Sequence, residues 1–296
     1  MTAAVRENVR FSKLTTVGTG GPARFFAEPE SVEELVDLLG WAEEKGLPVA
    51  VVGLGSNLLV ADEGFEGLAL RLKGALATVT TQDATLTTGG GAPLAVCLHR
   101  ARAAGLGGLE FACAIPGTAG GGVKMNAGAY SGDIAGVLFR ALVVDARGAS
   151  WRTPEELGLS YRRSALGSGG VVAGAELRLE RRDEREIRAT VGEMQAQRKA
   201  AQPTNRRTFG SVFKNPQHEL TAGRMLEACG LRGHRIGGAQ ISPKHANFIE
   251  NAGGATSADA LALIAEARRR AREQFGVALE PEVQLLGPIE IRPLGA

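Results

Sequence analysis

The sequence has few residues of the kinds that build crosslinks or metal sites. It contains three cysteines, Cys97, Cys113 and Cys229, and four histidines in 296 residues. The cysteines are odd in number and far apart, and no CxxC, HExxH or other metal-ligand spacing occurs. A disulfide framework needs paired thiols, and a structural zinc site needs clustered ligands. Neither kind of protein is expected, and no bound metal is expected.

Charge of one sign and long apolar runs are also lacking. The 34 basic side chains are offset by 32 acidic ones, so the net charge is +2, which does not predict a nucleic-acid or membrane partner. The basic runs at 181–188 and 268–272 are interpreted as solvated faces. No uncharged apolar run approaches the roughly 18 residues that cross a bilayer, and the first residues lack the apolar segment of a signal peptide. A cytoplasmic location is expected.

Glycine, in contrast, is abundant. The chain has 41 glycines, roughly twice the average usage of about 7%, and they form short clusters without a collagen-like period. With 44% hydrophobic and 22% charged residues, the composition is otherwise that of an ordinary soluble globular protein. Since glycine lets a backbone adopt unusual dihedral angles and approach another molecule closely, the clusters indicate ligand-facing loops.

The first glycine cluster follows a helix and a strand. Residues 31–34 have the form of a capping box, and apolar residues then recur at helical spacing up to Lys45-Gly46. Residues 48–52 predict a short buried strand that runs directly into Gly53-Leu54-Gly55-Ser56-Asn57. A glycine loop is thus expected at the carboxyl end of a strand. Further strands are expected at 58–60, 68–72 and 78–88.

The rest of the chain also mixes helices and strands. Residues 89–130 are the most glycine-dense part, and we expect irregular, ligand-facing backbone there besides a helix near 93–104. Later elements are strands within 138–179, a charged helix over 181–199 that ends before Pro203, and helices near 222–229 and 257–275. At 296 residues the chain exceeds the usual size of one compact core. The final third is expected to form a separate α/β unit.

The first loop is not a Rossmann fingerprint. In the stretch from Gly53 to Leu58, the third glycine position of GxGxxG is Leu58, and the following residues predict a strand instead of a helix. A nest of backbone N–H groups could still hold a phosphate, since glycine leaves no side chain in the way. This loop alone leaves both a plain turn and pyrophosphate recognition open.

A second glycine loop, Ile115-Pro116-Gly117-Thr118-Ala119-Gly120-Gly121-Gly122, is followed by Met125-Asn126-Ala127-Gly128-Ala129-Tyr130. It has no lysine in the Walker position, so the usual signature of nucleotide hydrolysis is absent. Two such loops, each with hydroxyl or amide neighbours, favour a bound dinucleotide over two plain turns. The cofactor is expected to lie between them.

Both loops are similar to the two FAD loops of the UDP-N-acetylenolpyruvoylglucosamine reductase family. Further stretches that resemble this family lie at 20–23, 161–164, 202–203, 210–216, 242–248 and 279–283. They span nearly the whole chain and are much narrower in distribution than the glycine loops. The chain resembles the shorter subtype of the family, because no tyrosine-bearing insertion follows Tyr161. The chain departs from the family pattern at Thr16-Val17-Gly18 and at Arg163.

The resemblance implies an α+β fold with a two-part FAD-binding region of the vanillyl-alcohol-oxidase-like type, at 1–74 and 75–199. A smaller C-terminal α/β substrate-binding domain, at 200–296, would return its last strand to the active site. The implied reaction uses NADPH and FAD to reduce UDP-N-acetylglucosamine enolpyruvate to UDP-N-acetylmuramate, a peptidoglycan precursor. The implied FAD contacts are Gly53, Gly55, Ser56, Asn57, Leu58, Pro116, Gly117, Thr118, Gly120, Gly121, Asn126, Gly128 and Ala129.

Three residues match the family's catalytic positions. Ser211 matches the proton donor, and Arg162 matches an arginine whose planar guanidinium can pair with a carboxylate. Glu282 matches a glutamate that could neutralise developing enolate charge. For Arg162 and Glu282 taken singly, a surface ion pair is the alternative.

The resemblance also implies substrate contacts in the second half of the chain. These are Tyr161, Lys214, Asn215, Arg224 and His245. A solvent-facing helix position stays open for Arg224, and a structural role stays open for His245. Only small molecules, NADPH and the UDP-sugar, are expected as partners of a monomer.

Two other functions are compatible with part of the sequence. An FAD oxidase of a small alcohol or sugar with the same fold would explain both glycine loops but not the later stretches. A nucleotide-sugar sensor that binds without turnover would not need Ser211, Arg162 and Glu282, all of which are present.

Overall fold

The computed structural model describes residues 4–167 and 169–291. These residues form two compact units. The first comprises residues 4–7, 25–54 and 67–198, and the second comprises residues 8–24, 55–66 and 199–291. Each unit is therefore built from segments that are distant in the sequence. The domain divisions expected at residues 74 and 199 stay predictions.

The chain alternates short strands with helices of varied length. The helices are α1 (Val32–Glu44), α2 (Leu94–Ala103), α3 (Ala119–Lys124), α4 (Glu184–Ala201), α5 (Ala222–Ala228) and α6 (Ser257–Phe275). The strands are β1 (Val5–Arg10), β2 (Pro22–Ala27), β3 (Val49–Val51), β4 (Leu58–Val60), β5 (Phe65–Leu70), β6 (Val79–Gln82), β7 (Thr85–Gly89), β8 (Leu106–Gly107), β9 (Gly128–Ala129), β10 (Gly132–Asp133), β11 (Leu138–Asp145), β12 (Gly148–Arg152), β13 (Val171–Arg178), β14 (Glu180–Arg181), β15 (Thr208–Ser211), β16 (Arg235–Ile236), β17 (Ala239–Ile241), β18 (Phe248–Asn251) and β19 (Gln284–Leu286). Short 3-10 helices lie at Phe11–Lys13, Gly74–Ala77 and Glu110–Ala114.

The first unit is organised around an antiparallel sheet in the order β12-β11-β13-β7-β6. Successive side chains of a strand point to opposite faces, and both faces of β11 are covered. Val143 belongs to the core that contains α2 and α3, whereas Val144 belongs to the core that contains α1. The same alternation holds for Val171 and Val172 of β13. Burial on both faces explains why these strands are nearly continuous apolar runs.

The second unit has a four-stranded sheet in the order β15-β18-β17-β16. Helices α5 and α6 share its core with Phe209, Phe213 and Ile249 of the sheet region. Strand β19 pairs in parallel with β4, and Leu285 lies opposite Leu59. The last described strand of the chain therefore lies beside the strand that follows the first glycine loop.

Two local predictions need correction. Ser31 caps α1, since the Glu34 N–H donates to its hydroxyl over 3.2 Å. The Glu34 carboxylate, however, accepts from the Glu30 N–H over 2.8 Å, one residue before the cap, so the reciprocal half of the predicted capping box is wrong. The strand expected at 48–52 is limited to β3, and Val51 is 41% exposed. It is not a buried strand because β3 is the last strand at one edge of its sheet.

Helix α6 agrees with its predicted range. Thr256 accepts from the Asp259 N–H and Asp259 accepts from the Thr256 N–H, which is a complete capping box, and Gly276 ends the helix at a φ of 69°. No helix in the described residues is both long enough and apolar enough to span a membrane.

Candidate active site

The first glycine loop is held by close packing at each of its glycines. In the first unit, a Cβ added at Gly53 would lie 2.7 Å from the hydroxyl oxygen of Thr118. In the second unit, Gly55 has a φ of 66°, and an added Cβ would lie 2.1 Å from the carbonyl oxygen of Leu14. The same Gly55 carbonyl accepts from the Thr16 N–H over 3.0 Å. Only glycine is compatible with both positions.

The second loop contains a helix that we predicted as irregular backbone. Helix α3 begins after Thr118, whose hydroxyl accepts from the Gly121 N–H over 3.4 Å. Glycine costs up to about 1 kcal/mol per residue in a helix, so propensity does not explain this element. Packing does, because the Ala119 and Gly120 N–H groups donate over 2.8 Å to the carbonyls of Ala92 and Gly90. The tertiary contacts override the local preference.

The glycines of this loop fall into two classes. A Cβ at Gly120 would lie 2.8 Å from the Val172 carbonyl oxygen, so the packing of the protein itself requires glycine there. At Gly117 an added Cβ meets nothing closer than 3.8 Å, and at exposed Gly121 nothing closer than 3.5 Å. The fold does not need glycine at these two positions. A molecule bound against the loop would account for both, so the loop fits a dinucleotide cofactor.

The Asn126 side chain forms hydrogen bonds within the protein. It is 3% exposed with a φ of 40°. Its amide nitrogen donates to Asp133 over 3.2 Å and to the Ser160 carbonyl over 3.1 Å, and its oxygen accepts from the Ala135 N–H over 2.9 Å. Its expected FAD contact stays a prediction. In the described structure, this side chain links the β9–β10 hairpin to Ser160.

Arg162 lies at the tip of a tight turn. The backbones of Ser160 and Arg163 exchange two hydrogen bonds of 3.0 and 3.1 Å, which leaves Tyr161 and Arg162 as the central residues. Arg162 has a φ of 56°, a left-handed conformation that costs a non-glycine residue about 1–2 kcal/mol. Its guanidinium donates to the Gly128 carbonyl over 2.5 Å, while Tyr161 is 54% exposed. The strained turn thus carries both predicted residues beside β9.

Arg198 is a candidate that sequence reasoning missed. Its guanidinium donates over 3.4 Å to the Cys113 carbonyl, just before the second loop, and its Nε is buried without a partner. Burial lowers the pKa of Arg198. We predicted a charged helix over 181–199 without assigning Arg198 a role, but Arg198 follows Ile187 by eleven residues and Val191 by seven, on the stripe that faces the core. A half-buried guanidinium at this position suits an anionic or electron-rich ligand.

In the second unit, Ser211 ends β15. The preceding Gly210 has a φ of 82°, and an added Cβ would lie 3.4 Å from the Ser56 carbonyl oxygen. The pairing of β15 with β18 is irregular between Thr208 and Ser211. The bulge and the glycine together place half-buried Ser211 next to the first glycine loop.

Glu282 is joined to both Ser211 and the first loop through the backbone. Its N–H donates over 2.8 Å to the carbonyl of Val212, the residue after Ser211. Its carbonyl accepts from the Asn57 amide over 3.1 Å, and the Gln284 N–H donates to the Asn57 carbonyl over 3.0 Å. Three predicted site residues that are distant in the sequence, Asn57, Ser211 and Glu282, are thereby brought together.

The predicted substrate contacts of the second unit differ in their surroundings. Lys214 pairs with Glu280 over 2.6 Å, and Asn215 accepts from the Ala222 N–H at the start of α5 over 3.2 Å. Arg224 is exposed and pairs with Glu227 along α5 over 3.3 Å. His245 is half-buried, and burial, followed by the charge of Arg232, lowers its pKa. It packs against α5, where a Cβ at Gly223 would lie 2.7 Å from the ring. Substrate contact stays a prediction for all four residues.

Known proteins are similar to this chain over nearly its whole length. A family model described as "UDP-N-acetylenolpyruvoylglucosamine reductase, C-terminal domain" matches residues 202–286, and one described as "FAD binding domain" matches residues 23–153. The UDP-N-acetylenolpyruvoylglucosamine reductase of Anaeromyxobacter dehalogenans strain 2CP-C is 47% identical over 92% of this chain and 83% of its own length. The second such reductase of Symbiobacterium thermophilum is 44% identical over 96% and 92%. The crystal structure of the Thermus caldophilus reductase is 38% identical, with a TM-score of 0.84, and covers 96% of this chain and 100% of that one.

The two classes of loop glycine predict opposite effects of alanine. Gly121→Ala should preserve or raise the free energy of unfolding, because alanine favours a helix by about 1 kcal/mol, but should lower flavin retention at least tenfold. Gly120→Ala should cost about 1–3 kcal/mol because the added Cβ overpacks the loop. Thermal melts and the flavin absorbance of the purified proteins measure both quantities. Gly192→Ala, at an open position of α4, is the control. If Gly121→Ala retains as much flavin as this control, a cofactor bound against Gly121 is contradicted.

Proposed function

Because the chain belongs to the UDP-N-acetylenolpyruvoylglucosamine reductase family, we propose that it reduces UDP-N-acetylglucosamine enolpyruvate to UDP-N-acetylmuramate in peptidoglycan precursor synthesis, with FAD as cofactor and NADPH as hydride donor. The observation that carries the proposal is the backbone pairing that brings Asn57, Ser211 and Glu282 together. A proton donor and a carboxyl group beside a cofactor loop are what the second half of this reaction requires.

The cofactor-binding role falls on the two glycine loops. Gly117 and Gly121 leave room for the molecule, and Gly53, Gly55 and Gly120 shape the backbone that faces it. Ser56, Asn57, Leu58, Pro116, Thr118, Asn126, Gly128 and Ala129 complete the proposed set. Bound FAD supplies the hydride chemistry, and the residues of the chain bind, orient and protonate the substrate.

Arg162 and Glu282 act on the negative charge of the substrate. Addition of hydride to the enolpyruvyl methylene carbon pushes an electron pair onto the carboxylate side as an enolate. A planar guanidinium can accept such a carboxylate with two charge-assisted hydrogen bonds, which is the role of Arg162. Glu282 would neutralise the growing enolate charge when it is protonated or bridged through water.

Ser211 donates the proton that completes the reduction. The enolate takes the proton at the carbon next to the carboxylate, a new C–H bond forms, and the serine is left as an alkoxide that recovers a proton from solvent. A hydroxyl is a weak acid, so the donation depends on the strong basicity of the enolate. Lys214 and Asn215, which follow closely in the chain, are proposed to contact the substrate, with Tyr161, Arg224 and His245.

We also propose that the protein acts as a cytoplasmic monomer with small-molecule partners only. The balanced charge of the sequence and the lack of a membrane-spanning helix in the described residues are compatible with this. The three-part division at residues 74 and 199 is retained as a functional proposal, with FAD binding before residue 200 and substrate binding after it. The family matches at 23–153 and 202–286 support the division near residue 200.

The function is tested with the purified protein and three spectra. The protein should have a flavin absorbance, NADPH should bleach it under anaerobic conditions, and UDP-N-acetylglucosamine enolpyruvate should restore it. Absence of a flavin would refute the proposal. Rapid restoration by oxygen with no response to the UDP-sugar would instead favour an oxidase, and binding of the UDP-sugar without restoration would favour a non-catalytic binding protein.

Ser211→Ala should separate the two half-reactions. The variant should keep its flavin and its rate of reduction by NADPH, because neither uses the hydroxyl. Reoxidation by the enolpyruvyl substrate should slow by about 10²-fold or more, the usual contribution of a general acid. Stopped-flow absorbance measures both rates, with Ser150→Ala on exposed β12 as the control. Normal substrate-driven reoxidation in Ser211→Ala would remove serine from the donor role.

Substitutions of Arg162 should uncouple stability from activity. Arg162→Gly and Arg162→Ala both remove the guanidinium, so substrate-driven reoxidation should fall by about 10²-fold or more in each. Glycine tolerates the left-handed backbone and alanine does not, so the glycine variant should be about 1 kcal/mol more stable. Chemical denaturation gives the difference. Equal stabilities would mean that the turn relaxes, and high activity in either variant would contradict the carboxylate-binding role.

A further inference from the structure

The turn that carries Arg162 belongs to a long connection with little regular structure. Between β12 and β13, residues 153–167 contain no helix or strand, only the bridge between Ser160 and Arg163. Leu157 is buried, and Leu159 and Leu166 pack partly against the same core. The Ala165 N–H donates to the Leu157 carbonyl over 2.8 Å. These contacts anchor the base of the connection, but a further set of contacts is needed to fix its tip.

Those contacts come from the segment at the end of the second glycine loop. Lys124, the last residue of α3, donates from its ammonium to the Leu166 carbonyl over 2.5 Å and to the Gly167 carbonyl over 3.1 Å. The Ser164 hydroxyl donates back to the Lys124 carbonyl over 2.7 Å. Asn126 reaches the Ser160 carbonyl, and Arg162 reaches the Gly128 carbonyl. The two segments are therefore joined on both sides of the arginine.

The charge of Lys124 is balanced in an unusual way. Its side chain is half-buried, and no carboxylate in the described part of the chain forms an ion pair with it. Two carbonyl dipoles of the loop, those of Leu166 and Gly167, accept from the ammonium. Burial lowers its pKa. Because the half-buried ammonium has no carboxylate partner among the described residues, its charge-assisted hydrogen bonds to Leu166 and Gly167 are the protein contacts that compensate its burial.

We propose that Lys124 is a positioning residue for Arg162: it holds the far side of the Arg162 turn against the helix of the second glycine loop. The part of this proposal that concerns catalysis rests on the proposed function, which gives Arg162 its role. The part that concerns the conformation of the turn does not. Lys124 touches neither substrate nor cofactor in this role. It limits the conformations of residues 160–167 so that the guanidinium is already in place when the substrate carboxylate arrives.

A direct test of the mechanical part needs neither cofactor nor substrate. In Lys124→Met, which keeps a long side chain but removes the donors, amide hydrogen exchange in a peptide that covers residues 157–167 should become at least tenfold faster. The sensitive amides are those of Arg163 and Ala165, which donate to Ser160 and Leu157. Lys124→Arg, which keeps a cationic donor, should restore the protection. Lys45→Met, at the exposed residue that directly follows α1, is the control.

A double-mutant cycle tests the functional part. With Arg162 present, Lys124→Met should slow substrate-driven reoxidation of the flavin about tenfold, since a misplacement of about 1 Å can cost up to about 10²-fold. Reduction by NADPH should be unchanged. With Arg162→Ala as the background, the same Lys124 substitution should change reoxidation by less than about twofold, because there is no guanidinium left to position.

The outcomes separate the two proposals. Faster exchange together with a non-additive cycle supports Lys124 as a positioning residue. Unchanged exchange, or equal losses in both backgrounds, would overturn it while the proposed function stands. If the unsubstituted protein is not reoxidised by the enolpyruvyl substrate, the proposed function fails, while the hydrogen-exchange result still decides whether Lys124 fixes the Arg162 turn.

Discussion

The parallel pairing of β19 with β4 is the interaction on which the arrangement of Asn57, Ser211 and Glu282 depends. Gln284, Leu285 and Leu286 lie opposite Leu58, Leu59 and Val60. Because register in a sheet is fixed by one set of hydrogen bonds, this pairing also fixes the residues just before both strands. Asn57 directly precedes β4 and Glu282 lies two residues before β19, and the Asn57 amide donates to the Glu282 carbonyl over 3.1 Å. A slip of one residue would move Glu282 relative to Asn57 and break this hydrogen bond.

In the first unit, close backbone packing fixes the position of α3. Gly89, Gly90 and Gly120 each have a neighbouring carbonyl oxygen within 2.8 Å of where a Cβ would lie. Such packing leaves no room to adjust, so α3 forms from a sequence that is poor in helix formers. The fixed helix then presents Gly121 to the outside and Lys124 to the connection that carries Arg162. Rigid packing on one side of α3 thus makes a defined ligand surface possible on the other.

Much of the fold could be predicted from the sequence where one signal dominated. The α+β class is confirmed, as are the FAD-binding and reductase C-terminal regions. Helix α6 was predictable to the residue because Thr256, Asp259 and Gly276 mark both its ends. Helix α3 was not, because its glycines oppose a helix locally and only Ala92 and Gly90, distant in the sequence, provide the hydrogen bonds that stabilise it. Tertiary contacts of this kind leave no local pattern.

The site residues show the same limit. The resemblance indicated Ser211, Arg162 and Glu282, but it did not indicate the hydrogen bond from the Glu282 N–H to the Val212 carbonyl. It also did not indicate that the Asn126 side chain forms hydrogen bonds with Asp133, Ala135 and Ser160. The role of Lys124 was hidden because one lysine at the end of a glycine run gives no indication of its carbonyl partners. Arg198 had a signal in its helical spacing from Ile187 and Val191, but the sequence analysis treated residues 181–199 only as a charged helix.

Backbone strain provides an independent reason to connect these residues with function. Among the described residues, the non-glycine positions with positive φ are Asn8, Asp83, Asn126, Tyr130, Ser131 and Arg162. Four of the six lie in the segments 126–131 and 160–167, which hydrogen bonds join directly. Glycine would relieve this strain at little cost to folding, and a strained residue persists only where the surrounding structure enforces it. At Arg162 the strained backbone carries a guanidinium that glycine could not provide. Under the proposed function, the strained turn holds that guanidinium in place before the substrate carboxylate binds.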